Sequence, residues 1–175
     1  MTRATATVST ALDLPREKAM PSRRDLIRMS DEEVRAYLAS QRRIILVTNG
    51  ADGIAHPLPM NFAMDGDGRF LISSFRKTQK VRNLERDPRA TLLVESGEAY
   101  QELKSVVAWC DAEIINDPVE VRALMSVMRR GEPLTATMSA QAAEQVEASI
   151  AKRVILRFTP YRLISWDHAK LGDRY

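Results

Sequence analysis

Leu71-Ile72-Ser73-Ser74-Phe75-Arg76-Lys77-Thr78-Gln79-Lys80-Val81-Arg82-Asn83-Leu84 reads as a strand, a short polar turn and a helix opened by Thr78. Threonine is a good N-cap, and Val81, Leu84 and Asp87-Pro88 fit a short helix that stops before the proline. The first turn carries the wrong charge for a helix start. Lys80 and Arg82 sit where free N–H groups and the positive end of the dipole favour anions. The backbone donors, the hydroxyls of Ser73, Ser74 and Thr78, and the Lys80 ammonium would together cradle a phosphate. Spacing alone serves a solvated basic helix equally well, so the surrounding chain has to decide.

Upstream, Ser30-Asp31-Glu32-Glu33 is a capping-box signature for a helix through Val34, Tyr37 and Leu38. Residues 1–29, rich in Thr, Ala, Ser and Arg without a period, read as a flexible N-terminal extension. Ile44 to Thr48 is a strand, Asn49 to Gly53 a hairpin turn and Ile54 to Met64 a second strand. Asp65-Gly66-Asp67-Gly68 turns into a third strand, Arg69 to Phe75. Thr91 to Glu95 and Leu103 to Ile115 supply two more. Asp117-Pro118 starts a helix with Val121, Leu124, Met125 and Met128 on one face. Gly131-Glu132-Pro133 breaks it, and a weaker helix follows from Met138 to Ile150. Arg153 to Phe158 and Tyr161 to Trp166 complete the strands. Antiparallel hairpins interrupted by a short helix predict a mainly β, α+β fold: a small closed barrel of six to seven strands with peripheral helices, closure removing exposed edges.

The chain has 175 residues, 45% of them hydrophobic and 28% charged, as in an ordinary globular protein of one domain. A net charge of +3 with basic residues crowded between Arg76 and Arg89 favours a local anionic ligand over a broad nucleic-acid footprint. The sparse aromatics also argue against a base-stacking platform. The single cysteine, Cys110, lies in an apolar strand pattern, reads as packing and fits a reducing, cytoplasmic compartment. His56 and His168 have no ligand-spaced partners, so no metal site is expected. Neither a membrane span nor a signal-peptide core is expected.

Strand alternation sets Ile54, His56, Leu58, Met60, Phe62 and Met64 on one face, and Ala55, Pro57, Pro59, Asn61 and Ala63 on the other. Two prolines imply two missing ladder donors and a strand with backbone groups to offer a planar polar ring, with Asn61 adding a donor and an acceptor. The same prolines also suit an edge strand blunted against aggregation. A hairpin would bring this strand to Ser73-Ser74, so that ring and phosphate could share one site.

The motifs Asp52-Gly53-Ile54-Ala55-His56-Pro57-Leu58-Pro59-Met60 and Lys80-Val81-Arg82-Asn83-Leu84-Glu85-Arg86-Asp87-Pro88-Arg89 resemble the pyridoxamine phosphate oxidase-like flavin and deazaflavin oxidoreductases. Tyr100-Gln101-Glu102-Leu103-Lys104-Ser105-Val106 and the segment from Ser165 to Gly172 extend the resemblance, in the family's order, across residues 30–175. It implies a split β-barrel domain and a homodimer with two cofactor sites at the subunit interface. It implies phosphate contacts from Ser73, Thr78, Gln79 and Lys80, and a ring against Leu58, Pro59, Met60 and Asn61. The partner subunit would add the strand at Lys104-Ser105 and the segment around Trp166, whose indole could pack on the ring or seal the barrel end.

Two departures bear on activity. The oxidase proper carries an Arg-x-x-x-x-Lys pair on the second strand, and His56 to Phe62 holds neither residue, which argues against the vitamin-salvage reaction. Relatives carry Arg-Gly-Val where this chain has Lys104-Ser105-Val106, so Ser105 adds a side chain near the expected ring. The reading is therefore a flavin- or deazaflavin-dependent oxidoreductase moving a hydride to or from a small organic substrate, with Lys104 available to orient an acidic one. The alternative is a non-catalytic flavin or haem carrier or sensor. The hydroxyl cluster suits the compact phosphate of FMN; deazaflavin stays open, and haem ranks behind both.

Overall fold

Ser30 opens a helix as its residues predict. Its hydroxyl accepts from Glu33 N at 3.2 Å, and Glu33 Oε2 accepts from Ser30 N at 2.6 Å. In the computed structural model, residues 22–129 and 139–172 are described. Most of the expected extension, the predicted break at Gly131-Glu132-Pro133 and the last three residues lie outside them. The described structure starts before Ser30: a short helix α1 (Arg23–Ile27) is capped by Ser22, and Met29 is 3% exposed within the main core. Met29 was assigned to the extension because nothing periodic surrounds it.

The chain continues as α2 (Asp31–Ser40), β1 (Arg43–Asn49), β2 (Ala55–Asn61), β3 (Ala63–Met64), β4 (Phe70–Phe75) and α3 (Gln79–Arg86). Then come β5 (Arg89–Ser96), β6 (Lys104–Ile115), α4 (Pro118–Met128), α5 (Ala140–Ile150) and β7 (Arg153–Asp167). The strands form one antiparallel seven-stranded sheet in the order β2-β1-β5-β6-β7-β4-β3. Two sequence expectations change. The single strand predicted over residues 54–64 breaks at Phe62, leaving β2 and β3 on opposite edges of the sheet. The two predicted C-terminal strands are one, because an irregularity between Trp109↔Arg162 and Cys110↔Pro160 absorbs Tyr161 as a bulge and the pairing resumes.

One residue therefore carries the chain from one sheet edge to the other, and the sheet curls into a split barrel. Phe62 N still donates to Arg42 O at 3.2 Å, while its ring is 5% exposed against Phe70, with centroids 5.9 Å apart. Inside the barrel lie Ile44, Leu46, Leu92, Val94, Val106, Ala108, Cys110 and Phe158. A second cluster, Leu71, Ile115, Val121, Ile150 and Ile155, sits beneath α4 and α5. With cover on both faces, β4 and β7 carry the unbroken apolar runs Phe70-Leu71-Ile72 and Val154-Ile155-Leu156. The expected α4 stripe holds, with Leu124, Met125 and Met128 packed beside Val121. Cys110 is fully buried, and burial pushes its thiol up to about 12. Among the described residues no helix is long and apolar enough to cross a membrane.

Phe62→Ala should remove the contact that holds the crossing and cost about 3–5 kcal/mol, read as a lower urea midpoint in equilibrium unfolding.

Candidate functional site

The stretch that opens α3 has an unusual N-terminus. Thr78 takes the extended backbone of an N-cap (φ −94°, ψ 157°), yet its side chain makes no cap bond. Thr78 Oγ1 instead donates to Phe75 O at 3.0 Å and lies 3.0 Å from Ser74 Oγ. Val81 N and Arg82 N use the Thr78 carbonyl, and Gln79 N and Lys80 N have no partner among the described residues. No acidic residue stands in the first turn. Lys80 Nζ donates to Ser74 Oγ at 3.4 Å and has no carboxylate within 4.0 Å among the described residues, and burial pushes its ammonium below the usual lysine range. Two free amides, two hydroxyls and an unpaired, half-buried ammonium form an anion cradle.

Two polar clamps seat this helix on β1. Asn83 is fully buried, and its Nδ2 donates to Thr48 Oγ1 at 3.0 Å while its Oδ1 accepts from Gln79 Nε2 at 2.9 Å. Arg86 donates to the Asn49 carbonyl, and Asn49 Nδ2 donates to Asp87 Oδ2 at 2.8 Å. Hydrogen bonds from Arg89 and Asn49 hold the Asp87 carboxyl well below the usual carboxylate range. The Gln79 amide is thus engaged along the helix. Asn83 lies within the Lys80–Arg89 motif, but its anchoring role needs Thr48, which is 35 residues away.

Ser73 and Ser74 separate. Ser74 is 3% exposed on the cradle side of β4, whereas Ser73 faces the other way and accepts from Arg153 Nη1 at 3.3 Å. On β2, Leu58 and Met60 lie half-buried opposite Leu46 and Ile44, and Pro59 and Asn61 face outward. Arg43 Nη1 donates to Asn61 Oδ1 at 3.3 Å. The prolines cost this ladder nothing. Gly50 N to Ile54 O and Phe62 N to Arg42 O bracket the pairing, so antiparallel alternation points His56, Leu58 and Met60 N–H groups at β1 and positions 57 and 59 away from it. The expectation of two lost ladder donors is corrected on that ground. The free edge of β2 keeps carbonyls at Pro57 and Pro59. His56 Nδ1 is buried with no partner among the described residues.

β2 comes alongside β4 across the split, and Met60, Asn61 and Ser73 border one cavity of about 450 Å³. Lys104, Ser105 and Trp166 are not brought to the cradle within one chain. Ser105 pairs directly with Trp166, its buried hydroxyl donating to Val94 O at 2.9 Å. Trp166 lies at the far end of β7 from Arg153, roughly 40 Å of strand path away. Lys104 Nζ is neutralised by Asp167 Oδ2 at 2.6 Å. Arg153 was missed because an arginine at a strand start carries no sequence signal.

A sequence profile of the pyridoxamine 5′-phosphate oxidase family matches residues 30–167. The chain belongs to that family. Among solved structures it is similar to a conserved hypothetical protein, Rv2991, from Mycobacterium tuberculosis, at 33% identity and a TM-score of 0.74 over 87% of this chain and 93% of that one. An F420 reductase shares the fold at 22% identity and a TM-score of 0.55, covering 73% of this chain and 93% of that one. The haem storage protein HutZ from Vibrio cholerae shares it at 17% identity and a TM-score of 0.58, over 78% and 96%. No curated protein matches the chain.

Asn83→Ala should strand the buried Thr48 hydroxyl, cost about 1–3 kcal/mol of stability and loosen α3, seen as faster amide exchange across residues 79–86.

Proposed function

We propose that this protein is a flavin- or deazaflavin-dependent oxidoreductase, with FMN as the favoured cofactor, acting on a small organic substrate in the cytoplasm. The observation that carries this reading is Lys80: a half-buried ammonium that, among the described residues, has no carboxylate partner, beside two amides likewise without partners and the hydroxyls of Ser74 and Thr78. A phosphate there would satisfy the ammonium and both amides, and the two hydroxyls, now bonded to the Phe75 carbonyl, could turn to donate to it. The residues fit the rest of such a cofactor too. The outward carbonyls of β2 and the unpartnered His56 Nδ1 can meet the polar edge of a ring lying against Leu58 to Asn61. When bound, the cofactor supplies hydride transfer. The chain's own part is to hold its phosphate at α3, orient its ring along β2 and keep water from the reacting face.

A homodimer completes the site in this reading. Register aligns Pro59, Ile45, Leu93, Val107 and Ile164 in one row across five strands on the outer face, and Val47 and Trp109 stand in the next row. Ile45, Leu93, Val107 and Ile164 are only half-buried in a single chain, forming an apolar face of the kind that marks an association surface. A second copy seated there would bring its Ser105 and Trp166 towards the first copy's ring. A flavin or haem carrier is the second reading, favoured because Lys80 is the one acid or base among the cradle residues. Reduction of the bound flavin by a nicotinamide or a substrate separates the two.

Titrating the purified protein with FMN and deazaflavin, followed by absorbance, tests the main reading. Lys80→Ala should weaken FMN binding about tenfold to a hundredfold, or about 1.5–3 kcal/mol. Unchanged affinity removes the phosphate site. Val107→Arg should turn dimer into monomer in sedimentation velocity; an unchanged dimer places the interface elsewhere.

A further inference from the structure

The cavity between β2, β4 and the α4–α5 pair has a charge pattern that the cradle does not explain. Arg153, at the start of β7, is half-buried and stacks over the Phe75 ring at 4.2 Å from its centroid. Its hydrogen bonds go only to hydroxyls, from Nη1 to Ser73 Oγ at 3.3 Å and from Nε to Ser149 Oγ at 3.4 Å. Among the described residues no carboxylate neutralises it. Four residues along the same strand, Arg157 is bound by Glu113 at 3.0 Å and Glu120 at 2.8 Å, and Arg122 on α4 pairs with Glu147. The fold pairs its other half-buried strand arginine and leaves Arg153 positioned but uncompensated. An aromatic face and two hydroxyls fix the guanidinium while the rest of its donor fork stays free.

The apolar walls are Met60 from β2, Met125 and Met128 from α4, and Val146 and Ile150 from α5; Asn61 and Arg129, exposed at the C-terminal end of α4, complete the lining. A volume of about 450 Å³ suits a small organic molecule, and thioether walls adapt to its shape. Among the described residues no acidic side chain lines the cavity.

We infer that this cavity binds an organic carboxylate with an apolar body, its carboxylate held by the guanidinium of Arg153 and its body against the three methionines. The planar donor fork of Arg153, fixed by an aromatic face and two hydroxyls, matches the two coplanar oxygens of a carboxylate, and the exposed Arg129 adds positive charge without a fixed contact among the described residues. Met60 and Asn61 belong both to this cavity and to the strand assigned to the cofactor ring, so the bound carboxylate lies beside the ring. Naming it the substrate rests on the oxidoreductase reading; the binding itself does not.

The test uses the full-length protein, cofactor-free and labelled with ¹³C at the methionine methyls, titrated with 3-phenylpropanoate and, separately, its neutral amide. The expected result is saturable shifts at Met60, Met125 and Met128, with the amide at least tenfold weaker. Arg153→Gln should weaken the carboxylate at least tenfold and leave the amide's weak binding unchanged, which also shows that the cavity survives; Arg153→Lys should recover part of the loss. Met125→Trp, which fills the cavity and keeps the arginine, should abolish binding. The inference is overturned by unmoved methionine methyls, by equal binding of acid and amide, by an indifferent Arg153→Gln, or by tighter binding of phenyl phosphate. FMN titrated into the same samples keeps the two readings apart. FMN binding without carboxylate binding overturns only this inference, and carboxylate binding without any flavin or deazaflavin binding overturns only the cofactor reading.

Discussion

The crossing of the chain at Phe62 is the constraint on which the rest of the molecule depends. β2 ends one edge of the sheet and β3 begins the other, and the single residue between them pairs its amide backwards while packing its ring forwards against Phe70. That short covalent link forces the sheet to curl. It also sets β2 beside β4 with no ladder between them. Every feature of the candidate site lies along this seam: the outward backbone of β2, the start of α3 after β4, and the cavity closed from outside by α4 and α5.

The seam's chemistry follows from what surrounds each strand. β4 is buried on both faces, so its two serines serve two environments. Ser74 joins Thr78 and Lys80 on one side, and Ser73 joins Arg153 on the other. Among the described residues, neither environment's cation has a carboxylate partner, whereas Arg157, Arg122 and Lys104 are all paired. Leaving a partly desolvated ammonium or guanidinium unpaired is unfavourable for folding, and an anionic ligand removes that cost. An F420 reductase and a haem storage protein share this fold, so the barrel by itself does not name the bound group. On such a fold the site residues carry the functional argument.

Much of the architecture was readable beforehand because it is local. The Ser30 capping box, the β1–β2 hairpin, the α4 stripe and the Thr78 helix each depend on residues close in sequence. The break at Phe62 was not readable, since its alternation with Met60 and Met64 is that of an unbroken strand. The same holds for the C-terminal strand: Pro160 reads as a terminator, yet the bulge at Tyr161 lets the pairing with β6 continue. Pro57 and Pro59 show how register decides meaning. In isolation they look like two lost hydrogen bonds, but the pairing with β1 turns both positions outward, where no bond is owed.

The sequence by itself determined the element types, the mainly β class and the cationic start of α3, because capping, alternation and charge at a helix end act over a few residues. Only the tertiary structure decided which side of β4 each serine serves, that Asn83 is clamped to Thr48, that Lys104 is neutralised by Asp167, and that Arg153 is held without a counter-ion. Those outcomes depend on strand register and on partners brought together from distant positions, and the chain's local chemistry does not encode which distant group arrives.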